Sequence, residues 1–346
     1  MPDVSLNAAA MGVLAPGCAA GVDGYPLALG WAGGGGLLCT LSAEGALTCF
    51  DGRTAANQWR ADAHPSGGLV LAVNPDGRTL VTGGQDGTAA VWATADGTRL
   101  QDFAIGGSWV TGAAWAPDGN VLALATGREV QVLNRDGAEL ARLPHPSTVA
   151  AIAFCGRREL ASACYGRAAF WDVDDGAPRE IFDWKNAFIA LAVSPGAGIL
   201  ACGGQDGSVH FWRRESGQDS EMRGYQSKVA MLAFDASGRW LATGGDAHAS
   251  IWDFSGGGPE GTAPIQLAAD RQRVTVLAWS RRQPVLATGG LDGRLSLWRL
   301  GVSGPGRLIG AAELGAAVTA IAWRADDRAI AVSAANGRVA VFRVRF

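Results

Sequence analysis

The stretch LATGGLDGRLSLW at residues 286–298 decides the fold, because relatives of it recur along the chain. It joins a short apolar run, a glycine pair, a Leu-Asp-Gly turn and an alternating run that ends in tryptophan. An Asp-Gly pair between two such runs is typical of a tight β-hairpin, since glycine adopts the positive φ angles that the turn needs. A phosphate-binding loop would need Gly-Lys-Ser/Thr leading into a helix, and the stretch has no such motif. We therefore interpret it as a structural hairpin.

Eight copies of this hairpin pattern follow one another with a period near 42 residues. Each copy has an upstream apolar run that ends in turn residues, and most have one further short run downstream. Each copy therefore supplies four short strands, here called a to d, and four antiparallel strands per 40–45 residues are typical of a propeller blade. The closing residues of the eight strands c are Phe50, Trp92, Leu133, Trp171, Trp212, Trp252, Trp298 and Phe342.

The predicted fold is all-β, a single β-propeller over residues 1–346. Eight four-stranded antiparallel blades are expected, with seven as the alternative because copies one and three match the pattern least. The last copy ends at VAVFRVRF, with no room for its own strand d. Residues 5–14 precede the first strand a without a partner. We expect them to supply the outer strand of the last blade and to close the ring, rather than to act as a targeting segment.

Composition restricts the function. The 346 residues carry 29 basic and 32 acidic side chains, a net charge of −3, so no basic excess favours nucleic acid or an anionic membrane. No apolar run reaches the roughly 18 residues of a membrane span. Six cysteines without a Cys-x-x-Cys motif suit a reduced compartment. We expect a cytoplasmic protein that binds neither nucleic acid nor membrane.

These repeats resemble the WD-repeat β-propeller family. In that family a His before strand a, a Ser or Thr on strand b, an Asp in the b–c turn and the strand-c Trp form a buried hydrogen-bond network. The resemblance implies structural roles for the matching residues, because an unpaired buried polar group destabilises a protein by about 1–3 kcal/mol. The matches are His64, Thr82, Asp86 and Trp92 in copy two; His145, Ser162 and Trp171 in copy four, where a deletion removes the Asp; Asp206 and Trp212 in copy five, with Cys202 at the hydroxyl position; and Thr288, Asp292 and Trp298 in copy seven, with Asp270 at the His position.

The resemblance also implies where partners bind. WD-repeat proteins commonly bind partners on the face formed by the d–a and b–c loops, through positions that flank the start of strand a and the position before the b–c Asp. We therefore expect a non-enzymatic scaffold, monomeric by itself, that binds a protein or peptide there. The candidate residues are Tyr25, Trp109, Tyr165, Lys228, Arg273, Gln85, Gln205 and Leu291, and Leu27, Thr111, Ile189 and Thr275 occupy similar positions.

No catalytic, cofactor or metal site is predicted. The spacing of His64, His145, His210 and His248 shows no convergence with cysteines or carboxylates, which a metal site would need. Neither Gly-x-Ser-x-Gly nor His-Glu-x-x-His occurs. Two alternatives stay open: a small-ligand or metal-binding propeller with its site at the channel mouth, and an enzyme similar to quinoprotein dehydrogenases. Against the enzyme, no copy has the Gly-Lys that precedes Trp in quinoprotein repeats.

Overall fold

The computed structural model describes residues 10–268, 272–301 and 304–346. Within these ranges nearly all regular structure is antiparallel β-strand, and the only helical segment is one 3-10 turn at Gly33–Gly35. The all-β class and the antiparallel blades predicted for a β-propeller are thereby confirmed. The chain divides into two compact units: a first unit of Met1–Ala61 with Ala233–Phe346, and a second unit of Asp62–Leu232.

The second unit contains copies two to five of the repeat. Copies two and three each form a four-stranded sheet, with strands in the order a to d along the chain. Their strands are β7 Gly68–Val73, β8 Thr79–Gly84, β9 Thr88–Ala93, β10 Arg99–Ala104, β11 Val110–Trp115, β12 Val121–Thr126, β13 Glu129–Asn134 and β14 Glu139–Pro144; those of copies four and five are β15 Val149–Phe154, β16 Glu159–Asp172, β17 Pro178–Val193, β18 Ile199–Gly204, β19 Val209–Arg213 and β20 Gln218–Met222.

Copies four and five share one six-stranded sheet, β15 to β20. Strand β16 passes from the strand-b to the strand-c segment of copy four without interruption, because copy four lacks the Asp-Gly turn. Strand β17 likewise continues from strand d of copy four into strand a of copy five. The described residues therefore form seven sheets, and the expectation of eight separate blades is wrong, whereas the alternative of seven agrees with the structure.

The first unit contains copies one, six, seven and eight. Its sheets are β3 to β6, β21 to β24, β25 to β28 with β1 added, and β29 to β31 with β2 added. The strands are β1 Met11–Gly12, β2 Leu14–Gly21, β3 Pro26–Ala32, β4 Leu37–Ser42, β5 Ala46–Asp51, β6 Asn57–Asp62, β21 Met231–Phe234, β22 Trp240–Gly244, β23 Ala249–Asp253, β24 Ile265–Leu267, β25 Val274–Trp279, β26 Val285–Gly290, β27 Arg294–Arg299, β28 Arg307–Glu313, β29 Val318–Trp323, β30 Ala329–Ala334 and β31 Arg338–Val344.

The outer strand of the last blade is β2. It pairs antiparallel with β31 from Leu14 opposite Val344 to Gly21 opposite Arg338. It is therefore displaced from the predicted segment 5–14, of which residues 5–9 lie outside the described residues and only Leu14 belongs to β2. Pro16 is tolerated because the register shifts between Pro16 and Cys18, and because an edge strand leaves some N–H positions unpaired. The short β1 pairs with β28, the outer strand of copy seven.

Tryptophans at the end of strand a connect neighbouring blades within each unit. In the second unit, Trp115 Nε1 donates to the carbonyl oxygen of Ala72 at 3.2 Å. In the first unit, Trp323 Nε1 donates to Ala278 O at 3.0 Å. The same bond joins Trp31 to Ala322 and Trp279 to Ala233, both at 2.9 Å. Each indole thus satisfies a strand-a carbonyl of the preceding blade while its ring packs between the sheets.

The glycine pair of the repeat provides space between strands. A methyl group on Gly83 would lie 2.6 Å from Val110 Cγ1, in the strand a of the next blade. A methyl group on Gly84 would lie 2.5 Å from the ring of His64 in the same blade. The first glycine therefore allows the next blade to approach, and the second leaves room for the residue at the His position.

Candidate functional site

Copy two contains a continuous chain of side-chain hydrogen bonds. Trp92 Nε1 donates to Thr82 Oγ1 at 2.9 Å, and Thr82 Oγ1 lies 2.9 Å from His64 Nε2. The other ring nitrogen, His64 Nδ1, lies 3.0 Å from Asp86 Oδ2. Because the Asp86 carboxylate accepts only, His64 carries its proton on Nδ1, and Nε2 accepts from the Thr82 hydroxyl. The structure thus brings together all four residues that the resemblance selected in this copy.

Burial and hydrogen bonding set the protonation states in this network. Burial lowers the pKa of His64 below its ordinary value, against the opposing effect of Asp86. Burial raises the pKa of Asp86, but hydrogen bonds from Thr88 and His64 outweigh it, and the net shift is downward. At neutral pH the pair is therefore a neutral imidazole beside a carboxylate. The hydrogen bonds of Asp86 hold the b–c turn of copy two in place. Both His64 and Thr82 are fully buried.

The network is partial in the other copies. In copy four, Ser162 Oγ lies 2.8 Å from both His145 Nε2 and Trp171 Nε1. In copy seven, Trp298 Nε1 donates to Thr288 Oγ1 at 3.2 Å, and Asp292 Oδ1 accepts the Arg294 N–H. Asp270, predicted at the His position of copy seven, lies outside the described residues.

In copy five, an asparagine takes the place of the histidine. Asn186 Nδ2 donates to Asp206 Oδ1 at 2.8 Å and reaches Ser208 Oγ at 3.2 Å. Sequence reasoning missed Asn186. The spacing was a usable clue, because Asn186 stands 20 residues before Asp206 and His64 stands 22 residues before Asp86. Cys202 is fully buried at the hydroxyl position, and burial raises the pKa of its thiol well above the ordinary range.

Replacing His64 with alanine is expected to lower the free energy of unfolding by about 2–3 kcal/mol, because Thr82 and Asp86 lose their partner and a buried cavity remains. Urea denaturation followed by tryptophan fluorescence measures the loss. Arg78→Ala, an exposed residue of the same copy, is the control and should change stability by less than about 0.5 kcal/mol. Equal midpoints for His64→Ala and wild type would contradict the structural role.

All eight candidate binding residues have exposed side chains. Tyr25, Trp109, Lys228 and Arg273 lie on d–a connections, and Gln85, Gln205 and Leu291 lie on b–c turns. Tyr165 lies at the strand-b to strand-c passage inside β16. The exposed fractions of the three aromatic side chains are 44% for Tyr25, 55% for Trp109 and 63% for Tyr165.

A groove that sequence reasoning missed lies beside Tyr165 in the second unit. Residues 184–186 of β17 lie opposite the single residue Gly166 of β16, so they form a bulge between the paired positions Asp183 and Ala187. The groove measures about 670 Å³, and Trp184 and Lys185 line it. One face of Trp184 stacks on the buried His210 ring at 3.8 Å between ring centroids. Sequence analysis did not single out Trp184, because the segment REIFDW has the pattern of a strand d, in which Trp184 is an ordinary residue.

Two chemical features are absent from the described ranges. They contain no group of three or more His, Cys, Asp or Glu side chains placed to hold a metal ion. They also contain no helix with the length and apolarity needed to cross a membrane.

A model of the family described as WD domain, G-beta repeat matches residues 58–93, 180–213, 218–253 and 265–299. The chain contains four WD repeats. The four matches contain the strands a to c of copies two, five, six and seven, whose hairpins have the paired glycines and the closing tryptophan. The other four copies keep the strands but depart from the repeat consensus.

Curated relatives match this chain over only part of their own length. WD repeat-containing protein slp1 of Schizosaccharomyces pombe is 27% identical over 222 residues, which are 61% of this chain and 44% of slp1. Autophagy-related protein 16 of Arabidopsis thaliana is 25% identical over 71% of this chain and 50% of its own length. The chain thus spans half or less of these relatives.

Among solved structures, the computationally designed Ika8 protein is similar over almost the whole chain. The TM-score is 0.80, with 95% of this chain and 99% of the designed chain covered, at 23% sequence identity. At this identity the similarity shows a common fold.

Proposed function

We propose that this protein is a non-enzymatic scaffold that binds a protein or a peptide through its d–a and b–c connections. The observation that carries the proposal is the distribution of exposed aromatic side chains. Among the described residues, the markedly exposed aromatic side chains are Tyr25, Trp109, Tyr165 and Phe346, and three of these four lie on these connections. Tyrosine and tryptophan are enriched at the energetic centres of protein interfaces, since they bury large rigid surfaces.

Four of the remaining candidates offer polar groups on the same kinds of connection, and the fifth, Leu291, is apolar. Lys228 and Arg273 offer positive charge, and Gln85 and Gln205 offer both donors and acceptors. All four are exposed. A polar rim around aromatic anchors is the usual anatomy of a protein interface, because the rim stays hydrated while the anchors are desolvated. In the second unit, Trp184 and Lys185 extend the candidate surface beside Tyr165.

Affinity capture with matched variants tests the proposal. The immobilised chain is expected to retain a stoichiometric protein from an extract of its source cell. Trp109→Ala and Tyr165→Ala should each weaken retention by about tenfold or more, as loss of an interface anchor does. Leu140→Ala and Ile181→Ala are the controls, because these exposed apolar side chains lie on β14 and on the strand-d part of β17.

Arg273→Ala applies the same test to the first unit. Two results would contradict the proposed surface. In the first, Trp109→Ala, Tyr165→Ala and Arg273→Ala all leave retention of the partner unchanged. In the second, the two controls reduce retention as much as these variants do. Each variant is first checked for an unchanged unfolding midpoint, so that lost capture reports on the surface and not on the fold.

A further inference from the structure

A cavity of about 860 Å³ lies in the first unit, at the ends of the blades that carry the a–b and c–d turns. Three chain segments form most of its wall: the turn after β5, the turn between β29 and β30, and the residues at the end of β31 and beyond. Five arginines and two aspartates line it, which gives a side-chain charge of +3, whereas the whole chain carries −3. We name this cavity the arginine pocket; its arginines are Arg53, Arg324, Arg328, Arg343 and Arg345.

The two aspartates of the arginine pocket are already engaged. Asp326 accepts two hydrogen bonds from Arg324, Nε to Oδ1 at 2.8 Å and Nη2 to Oδ2 at 2.9 Å. The buried Asp327 accepts the backbone N–H groups of Arg281 at 2.9 Å and Arg282 at 2.7 Å. Asp326 therefore neutralises Arg324, and the Asp327 carboxylate points its oxygens to the backbone of the neighbouring blade.

Among the described residues, no carboxylate lies within ion-pair distance of the other four guanidinium groups. Arg53, Arg328 and Arg345 are exposed, and Asp51 and Asp326 act on Arg53 and Arg328 only from a longer distance. Arg343 Nη2 donates to the carbonyl oxygen of Pro16 at 3.1 Å, which uses one donor but leaves the charge uncompensated. Several like charges around one cavity repel each other, so an anion that enters the cavity lowers the electrostatic energy.

We propose that the arginine pocket binds a compact ligand that carries two or more phosphate groups. A guanidinium group matches phosphate geometry with paired N–H donors and keeps its charge at all physiological pH values. A ligand with two linked phosphates neutralises several arginines from a single position, which a monoanion does not. The cavity volume falls within the range of about 300–1,000 Å³ typical of small-ligand sites. The ring of Phe346, stacked on Trp323 at 6.3 Å, adds an apolar wall for an organic group.

This site is independent of the proposed scaffold function. The arginine pocket lies at the a–b and c–d ends of the strands, whereas the candidate partner-binding residues lie at the d–a and b–c ends. A ligand in the pocket therefore leaves the candidate residues of the first unit, Tyr25, Arg273 and Leu291, uncovered.

Isothermal titration of the full chain at constant ionic strength tests the proposal, with inorganic pyrophosphate as the probe. Saturable binding of one pyrophosphate per chain is expected, about tenfold or more tighter than orthophosphate. A second titration uses ADP in place of pyrophosphate. Binding of ADP more tightly than pyrophosphate would identify a nucleotide as the natural source of the phosphates, and weaker binding of ADP would favour an inorganic or non-nucleotide polyphosphate.

Arginine variants locate the site. Arg328→Ala and Arg345→Ala should each weaken pyrophosphate binding by about tenfold, the effect of removing a charge-assisted hydrogen-bond donor. Arg78→Ala is the matched control, because Arg78 occupies the same position of the a–b turn in copy two as Arg328 does in copy eight.

Three outcomes would overturn the proposal: equal affinities for pyrophosphate and orthophosphate, an equal loss in Arg78→Ala, or tight binding of a hexaglutamate peptide without binding of pyrophosphate. The last outcome would assign the pocket to an acidic peptide. If an arginine variant fails to fold, the comparison of pyrophosphate with orthophosphate on the wild-type chain decides the matter.

Discussion

Gly203→Ala is expected to lower the free energy of unfolding by about 3 kcal/mol, the upper part of the range for overpacked cores. The added methyl group would lie 2.1 Å from Val229 O and 2.8 Å from Leu232 Cδ1. A rotamer change relieves a clash with a side chain, but the Val229 carbonyl belongs to the backbone that leads into β21. The backbone around Val229 must therefore shift, and its buried contacts are lost. Equilibrium urea denaturation measures the change in midpoint.

Gly198→Ala is the matched control in the same sheet. Gly198 is exposed, and no atom lies within 4 Å of the added methyl group. Alanine there restricts the unfolded chain without creating a clash, so the variant should be as stable as wild type or slightly more so. Similar midpoints for Gly203→Ala and Gly198→Ala would show that the first glycine of the repeat does not set the spacing between blades.

Arg214→Ala is expected to lower the free energy of unfolding by about 3 kcal/mol, the lower end of the range for removing one partner of a buried ion pair, because this group is only partly buried. Arg214 donates to Glu159 through Nη1 and Nη2, both at 2.9 Å, and to Glu180 through Nε at 2.7 Å. Its guanidinium lies 3.8 Å above the Phe170 ring. The exposed side-chain fractions are 18% for Arg214, 16% for Glu159 and 32% for Glu180, so removal of the arginine leaves two poorly solvated carboxylates close together.

A second replacement, Glu159→Gln in the Arg214→Ala background, distinguishes this electrostatic cause from lost packing. A neutral amide at residue 159 removes the repulsion between the two carboxylates, so the double variant should recover part of the stability lost in Arg214→Ala. A double variant no more stable than Arg214→Ala would indicate packing alone. Arg158→Ala removes a surface pair with Asp174, in which the Arg158 side chain is 73% exposed, and should cost less than about 1 kcal/mol.

The repeat pattern predicted the features that depend on residues close together in the sequence, namely the strands, the turns and the network residues of copy two. Alternating apolar residues bounded by Asp-Gly turns define the strands, and the network residues of copy two lie at the positions of the consensus. The sheet shared by copies four and five depends on pairing between distant segments. A missing turn in the sequence does not reveal whether a strand ends or continues, so the eight copies of the repeat suggested eight separate blades.

Sequence analysis missed some residues of the candidate sites for the same reason: their positions depend on contacts between distant segments. Asn186 and Trp184 lie in a bulge that only the register of β16 against β17 defines. The arginine pocket is formed by side chains of residue 53 and of residues 324–345. These positions are far apart in the sequence, and no motif connects them. The displacement of the outer strand to Leu14–Gly21 arose because Pro16 and Gly17 argue against a strand locally, whereas pairing with β31 outweighs that preference.

The pairing of β2 with β31 has a consequence for synthesis on the ribosome. Leu14 is synthesised long before Val344, and each is the other's partner in the ladder. Strand β2 therefore stays without its partner until β31 has been made, and during that time its open edge is available to a neighbouring nascent chain. Completion of this blade depends on contacts of very large sequence separation, which form slowly.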